Sequence, residues 1–234
     1  MPRWGIQAML PARISILNCI TTVSISIPST MCHKGGFSVH ITPSALVLLA
    51  VFLLFFSPLL LGALLFAALC HELGHCAALH LLHGRVTALH ITASGAEMQV
   101  VGRLSYGGEL LAAAAGPTAN LLLSLPLAYG GRQWEILYLF AGAQLVLGIF
   151  NLLPILPLDG GSILWNLTAW LTQPYTADRV TGLVSLGMAV ILTLTAAAAL
   201  CVGGSPFLLL AAVGLLWRAM AANRGCQTAA KKVK

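Results

Sequence analysis

Acidic side chains are nearly missing from this chain: six Asp and Glu among 234 residues, against twelve Lys and Arg, so that only 8% of the sequence is charged. Soluble domains carry about 25%. With 59% apolar residues and a mean hydropathy of +0.92, the composition excludes a soluble globular protein and indicates a polytopic membrane protein. No stretch is polar enough for a second folded domain, no internal repeat is evident, and the N-terminal part shows no signal-peptide cleavage pattern. The six cysteines are scattered, with Cys70, Cys76 and Cys201 in apolar runs, which excludes a disulfide framework and reads as small core residues. The formal charge of +6 forms no single stripe. Its residues flank apolar segments as topology signals, so no nucleic-acid partner is expected.

What is present is hydrophobic length. The expectation is an all-α polytopic membrane protein of six transmembrane helices, at about 43–57, 58–83, 107–130, 134–153, 177–202 and 206–222. Pro58 within "FFSPLLL" breaks the first long run, and Gly130-Gly131 and Gly203-Gly204 supply turns. An even number of spans leaves both termini on one side, which also holds every Lys and Arg except Arg132; that side is read as cytoplasmic. Residues 37–222 form the core and 223–234 a basic cytoplasmic tail. Residues 1–36 are either a surface-lying arm or lie upstream of a start at Met31, and no role is assigned to them. Between the second and third spans, "RVTALHITASGAEMQVVGRL" has the β-branched pattern of a short membrane-associated hairpin turning near Ser94-Gly95.

The chemistry concentrates in "HELGH". On a helix, His71 and His75 lie about 40° apart on one face, with Glu72 about 60° from His75. Two imidazoles on one face share a zinc, and the glutamate takes a proton from water activated there. Satisfied core histidines are the plainer reading, preferred for His80, His83 and His90 taken singly. For His71, Glu72 and His75 together it fails, because an unpaired glutamate in apolar company has no packing use and a high cost. A catalytic zinc takes a third protein ligand. Glu97, Glu109, Glu135 and Asp178 fall in loops or at span ends, which leaves Asp159 in "NLLPILPLDGG" as the best remaining ligand. Asp159 as a helix N-cap is the alternative, compatible with the first. Depth agrees, since His71 follows Pro58 by 13 residues, roughly 20 Å along the helix, and the fourth span brings Asp159 to a similar level.

Taken together, "HELGH" in the second span, "AGPTAN" in the third and "NLLPILPLDGG" after the fourth resemble the site-2 protease family of intramembrane zinc metalloproteases, over about residues 37–222. The resemblance implies His71, His75 and Asp159 as ligands of one Zn2+ per chain and Glu72 as general base. It also implies Asn151 and Pro157 in the region that meets substrate, although a helix-bonding role alone would account for Asn151. Gly116 and Pro117 read as helix-packing residues; Asn120 is either a helix-bonding amide or part of the shell behind the metal ligands. The short layout is most like the branch containing the stage IV sporulation protease that processes a membrane-associated sigma factor. There is no room for the PDZ or CBS domains of other branches, so substrate selection falls to the core, the termini or a regulatory membrane partner.

The expected function is hydrolysis of a peptide bond in a membrane-embedded or membrane-tethered protein near the cytoplasmic face of a prokaryotic cytoplasmic membrane. The hairpin edge would hold the substrate in extended form, or is a plain membrane-surface hairpin. The rival reading, a metal transporter or an inactive zinc-binding scaffold, is disfavoured because the ionisable residues gather near one side instead of tracing a path through both leaflets.

Overall fold

The computed structural model describes residues 23–27, 37–92, 95–101 and 104–232. The arm considered at 1–36 falls outside the described residues except for 23–27, as does Ser94 of the expected hairpin turn. Among the described residues seven helices and four strands follow in the order β1 (Val23–Ile27), β2 (Phe37–Ile41), α1 (Pro43–Phe55), α2 (Pro58–Leu81), β3 (Arg85–Thr92), β4 (Gly95–Val101), α3 (Tyr106–Gly130), α4 (Ile136–Asn151), α5 (Asp159–Leu171), α6 (Pro174–Cys201) and α7 (Pro206–Lys232).

Their boundaries have local causes. Pro43, Pro58, Pro174 and Pro206 open helices, where a missing N–H is no loss, and Ser57 and Ser105 accept from the N–H groups of Leu60 and Gly108. α2 ends in a Schellman arrangement: His83 takes a left-handed φ of 59°, its N–H donates to the His80 carbonyl, and that of Gly84 to Leu79. His80 and His83 are therefore exposed residues of a helix end, not the satisfied core histidines expected. His90 is half-buried on β3 and stacks on His40, ring centroids 4.8 Å apart. The cysteine reading is corrected as well, since Cys70 and Cys76 are only partly buried and Cys201 is exposed.

Burial runs opposite to that of a soluble protein. Small residues fill the interior, among them Ala63, Ala67, Ala143, Ala189, Ala196 and Ala219, while Leu54, Leu81, Leu125, Val146, Leu183 and Leu210 point outward. Lipid tails are as apolar as Leu, so large side chains gain nothing by burial, and small ones let helices approach. This is an integral membrane protein. Among the described residues four helices, α2, α3, α6 and Pro206–Asn223 of α7, are long and apolar enough to cross a bilayer; α1 and α4, at 13 and 16 residues, are apolar but shorter.

α3 is central, packing on α2, α4 and α5, with α5 leading to the α6–α7 pair. The β structure exceeds a lone hairpin. β3 and β4 pair antiparallel, β2 adds to β3 in parallel across the α1–α2 crossover, and β1 pairs antiparallel with β2. The segment 37–41, which precedes the first expected span, is thus a sheet strand.

Candidate metal centre

Two turns of α2 set the first half of the site. His71 and His75 project from one face, their Nε2 atoms 3.1 Å apart. The second half is brought by the loop after α4, where Ile155, fully buried, plugs the α6–α7 core beside Ala189, Leu215 and Ala219, and the Leu156 N–H donates to Ser185 Oγ at 2.8 Å. The chain then turns back on itself into α5. A Cβ at Gly160 would overlap the carbonyls of Leu152 and Leu153, and one at Gly161 would sit 2.7 Å from the Leu156 nitrogen. Only glycine fits this turn, which is the physical content of "LDGG".

Asp159 thereby reaches α2. Its Oδ2 lies 2.9 Å from His71 Nε2 and 3.4 Å from His75 Nε2. The N-cap of α5 is Leu158, not Asp159, so the capping alternative is not what the structure shows. The carboxylate faces the histidines from the first helical position.

These three atoms are arranged for a cation. His75 Nδ1 is 2.7 Å from the Ala112 carbonyl, which can only accept, so the ring proton resides on Nδ1 and Nε2 presents a lone pair. That lone pair, the Nε2 of His71 and a carboxylate oxygen converge with ligand atoms all within 4.8 Å of one another, and among the described residues this is the one group of its kind. Nitrogen and oxygen donors in this number suit zinc with a position left open. Glu72 is half-buried beside the group, close enough for its charge to act on both imidazoles and on Asp159.

α3 supplies the wall. A Cβ at Gly116 would run into the His75 ring, 2.6 Å from Cε1 and 2.8 Å from Cδ2, so "AGP" is a cradle for a ligand as well as a helix-packing surface. Asn120, one turn on, is fully buried. Asn151 donates through Nδ2 to the Leu147 carbonyl at 3.2 Å, a bond within its own helix, and Pro157 is exposed after a cis peptide bond. Among the described residues neither forms a hydrogen bond with the three converging side chains. Sequence reasoning missed Ile155 and Ser185, which hold the Asp159 loop, and Gln144, fully buried on α4. A glutamine inside an otherwise apolar span was the available signal for the last.

Fold and site thus define an integral membrane protein with a His2Asp cluster suited to a divalent metal. Residues 127–195 match the model of Peptidase family M50, a stretch that includes Asp159 and excludes "HELGH". A Synechocystis protein named "Putative zinc metalloprotease" is 33% identical over 47% of this chain and 32% of its own length, so the chain spans about a third of that curated relative. The solved site-2 protease from Methanocaldococcus jannaschii superposes with a TM-score of 0.62 over 86% of this chain and 95% of its own, at 20% identity. The fold is that of this solved site-2 protease, and residues 127–195 are similar in sequence to Peptidase family M50.

Proposed function

We propose that this chain is an intramembrane zinc metalloprotease that hydrolyses a peptide bond of a membrane-embedded or membrane-tethered protein. The observation that carries this reading is the convergence of His71, His75 and Asp159 beside Glu72 at depth in an apolar bundle. A single cation can bridge the two imidazole nitrogens and the carboxylate oxygen so placed. His71, His75 and Asp159 would hold one zinc ion, which when bound supplies Lewis acidity for the scissile carbonyl and a lowered pKa for water. The chain's own groups do the rest. The Ala112 carbonyl and Gly116 fix the His75 ring, while Glu72 accepts the proton of the attacking water and passes it to the leaving amine. Proton transfer by one such group contributes about 10²–10⁴-fold.

A transmembrane helix shields its carbonyls, so substrate must be taken in extended form. β4 pairs with a strand on one side alone among the described residues, and its free edge suits β-addition. We read α1 and α4 as completing six crossings, with both termini cytoplasmic and cleavage near that face. The layout resembles the branch of the stage IV sporulation protease, with substrate choice resting on the core, the termini or a membrane partner.

Glu72→Gln tests the reading. Cleavage of a tagged single-span substrate should fall by at least 10²-fold while zinc stays at one per chain, because the base is lost and the ligands remain. Retained turnover would overturn the role of Glu72, and a wild-type chain that binds zinc but cleaves nothing across a library of single-span proteins would favour a scaffold or transporter.

A further inference from the structure

Behind the ligands lies a set of buried polar atoms that the proposed chemistry does not use. His71 Nδ1, both polar atoms of Asn120 and both of Gln144 are buried without a hydrogen-bond partner among the described residues, and both amide side chains are fully buried. In an apolar bundle each such group is costly if it stays unpaired. Five of them in one region call for a shared explanation.

Helix register brings them together. On α2, Gly74 approaches Ala115, Gly116 and Ala119, and His75 lies against Gly116 and Ala112, so rising numbers on α2 meet falling numbers on α3. His71 is one turn back from His75, and Asn120 is one turn on from Gly116; the two reach the same level. Asn120 also packs against α4, where a Cβ at Gly148 would sit 3.2 Å from its own Cβ. Gln144 follows one turn away on that face of α4. The order across the bundle is His71, Asn120, Gln144.

The chemistry of the two imidazoles then differs by one bond. If Nε2 of each is to hold a metal, each Nδ1 carries a proton and needs an acceptor. His75 has the Ala112 carbonyl, whereas His71 has no such carbonyl among the described residues. Metal-ligating histidines almost always donate that second N–H, and loss of the acceptor typically costs 10–100-fold in metal affinity.

We propose that Asn120 is the positioning residue for His71: its Oδ1 accepts the Nδ1–H across one enclosed water, and Gln144 faces the Asn120 amide across the same polar space. A water bridging these groups has the polar partners that a buried water needs. The inference rests on the reading of the cluster as a zinc site, and it adds a residue that sets the affinity and geometry of that site without touching the metal.

The test uses the full chain in detergent or nanodiscs, with Zn2+ affinity from chelator competition and the absorption spectrum of the Co2+ form. Asn120→Leu, which removes donor and acceptor, should weaken Zn2+ binding about 10–100-fold and alter the Co2+ spectrum. Asn120→Asp, which keeps the acceptor, should restore affinity to within about threefold of wild type, a rescue that a packing role alone would not give. Asn120→Ala removes the amide without bulk, and if the leucine variant does not fold, it should still weaken Zn2+ binding relative to Asn120→Asp. Equal affinities and spectra for wild type, Ala and Asp variants would overturn the role of Asn120 alone. A wild-type chain that takes up neither Zn2+ nor Co2+ would overturn the metal site itself.

Discussion

Gly116→Ala asks whether α3 sets the metal site or only packs beside it. The added methyl would lie 2.6 Å from Cε1 and 2.8 Å from Cδ2 of His75, where carbon pairs rest at about 3.5–4.0 Å. The ring or the helix must therefore move by roughly 1 Å. The ring is tied through Nδ1 to the Ala112 carbonyl on the same helix, and α2 and α3 are already in close approach at Gly74. Neither partner yields freely. Overpacking of this kind costs about 1–3 kcal/mol, and the better helix propensity of alanine offsets up to about 1 kcal/mol of it. From the middle of that range, about 2 kcal/mol, a net loss of about 1–2 kcal/mol is left for the ligand geometry to bear, a roughly 5–30-fold weaker zinc site. Chelator competition on the purified chain measures it, with Gly142→Ala as control because a Cβ there meets nothing within 4 Å. Wild-type zinc affinity in Gly116→Ala would refute the cradle.

Two further outcomes follow from the loop that carries Asp159. Asp159→Asn should lower zinc content and cleavage together, because the charged ligand is lost while the fold of α5, whose N-cap is Leu158, is kept; unchanged zinc affinity by chelator competition would remove Asp159 from the ligand set. Ile155→Ala should lower thermal stability by about 2–5 kcal/mol, since this side chain is fully buried in the α6–α7 core, and should loosen the Asp159 loop so that zinc affinity falls as well. A stability loss with intact zinc binding would show that Ser185 and the two glycines suffice to place the carboxylate.

Much of this molecule is legible because membrane helices obey a length rule and a helix has a fixed pitch. The spacing of His71 and His75 alone dictates that their rings share a face, and the Nε2 atoms 3.1 Å apart are that geometry realised. Pro58 and Pro43 mark starts because proline is tolerated at the first turn and little further in. The strands of the small sheet were harder to read. "FSVHI" pairs in parallel with a strand more than forty residues later, Ser38 opposite Ala88, and a pairing that spans two helices leaves no local pattern. His80 and His83 were misjudged for a related reason: an apolar run reads as interior, while the structure ends the helix there with a left-handed residue that only the turn reveals.

The site divides along the same line. Ligand types follow from chemistry, since a glutamate and two histidines in an apolar helix have few other uses. Their supports follow from contacts between distant segments, as when Ser185 takes the Leu156 N–H and so fixes an aspartate three residues further on. Gly116 shows both sides of the limit. As a small residue in a span it reads as a helix contact, and it is one, but the atom it makes room for is a ring nitrogen of His75. Gln144 lay in plain view as a buried amide in the fourth apolar run. Its meaning depends on Asn120 packing one turn away on α3 and His71 standing beyond it on α2, a neighbourhood that exists only once the helices are side by side.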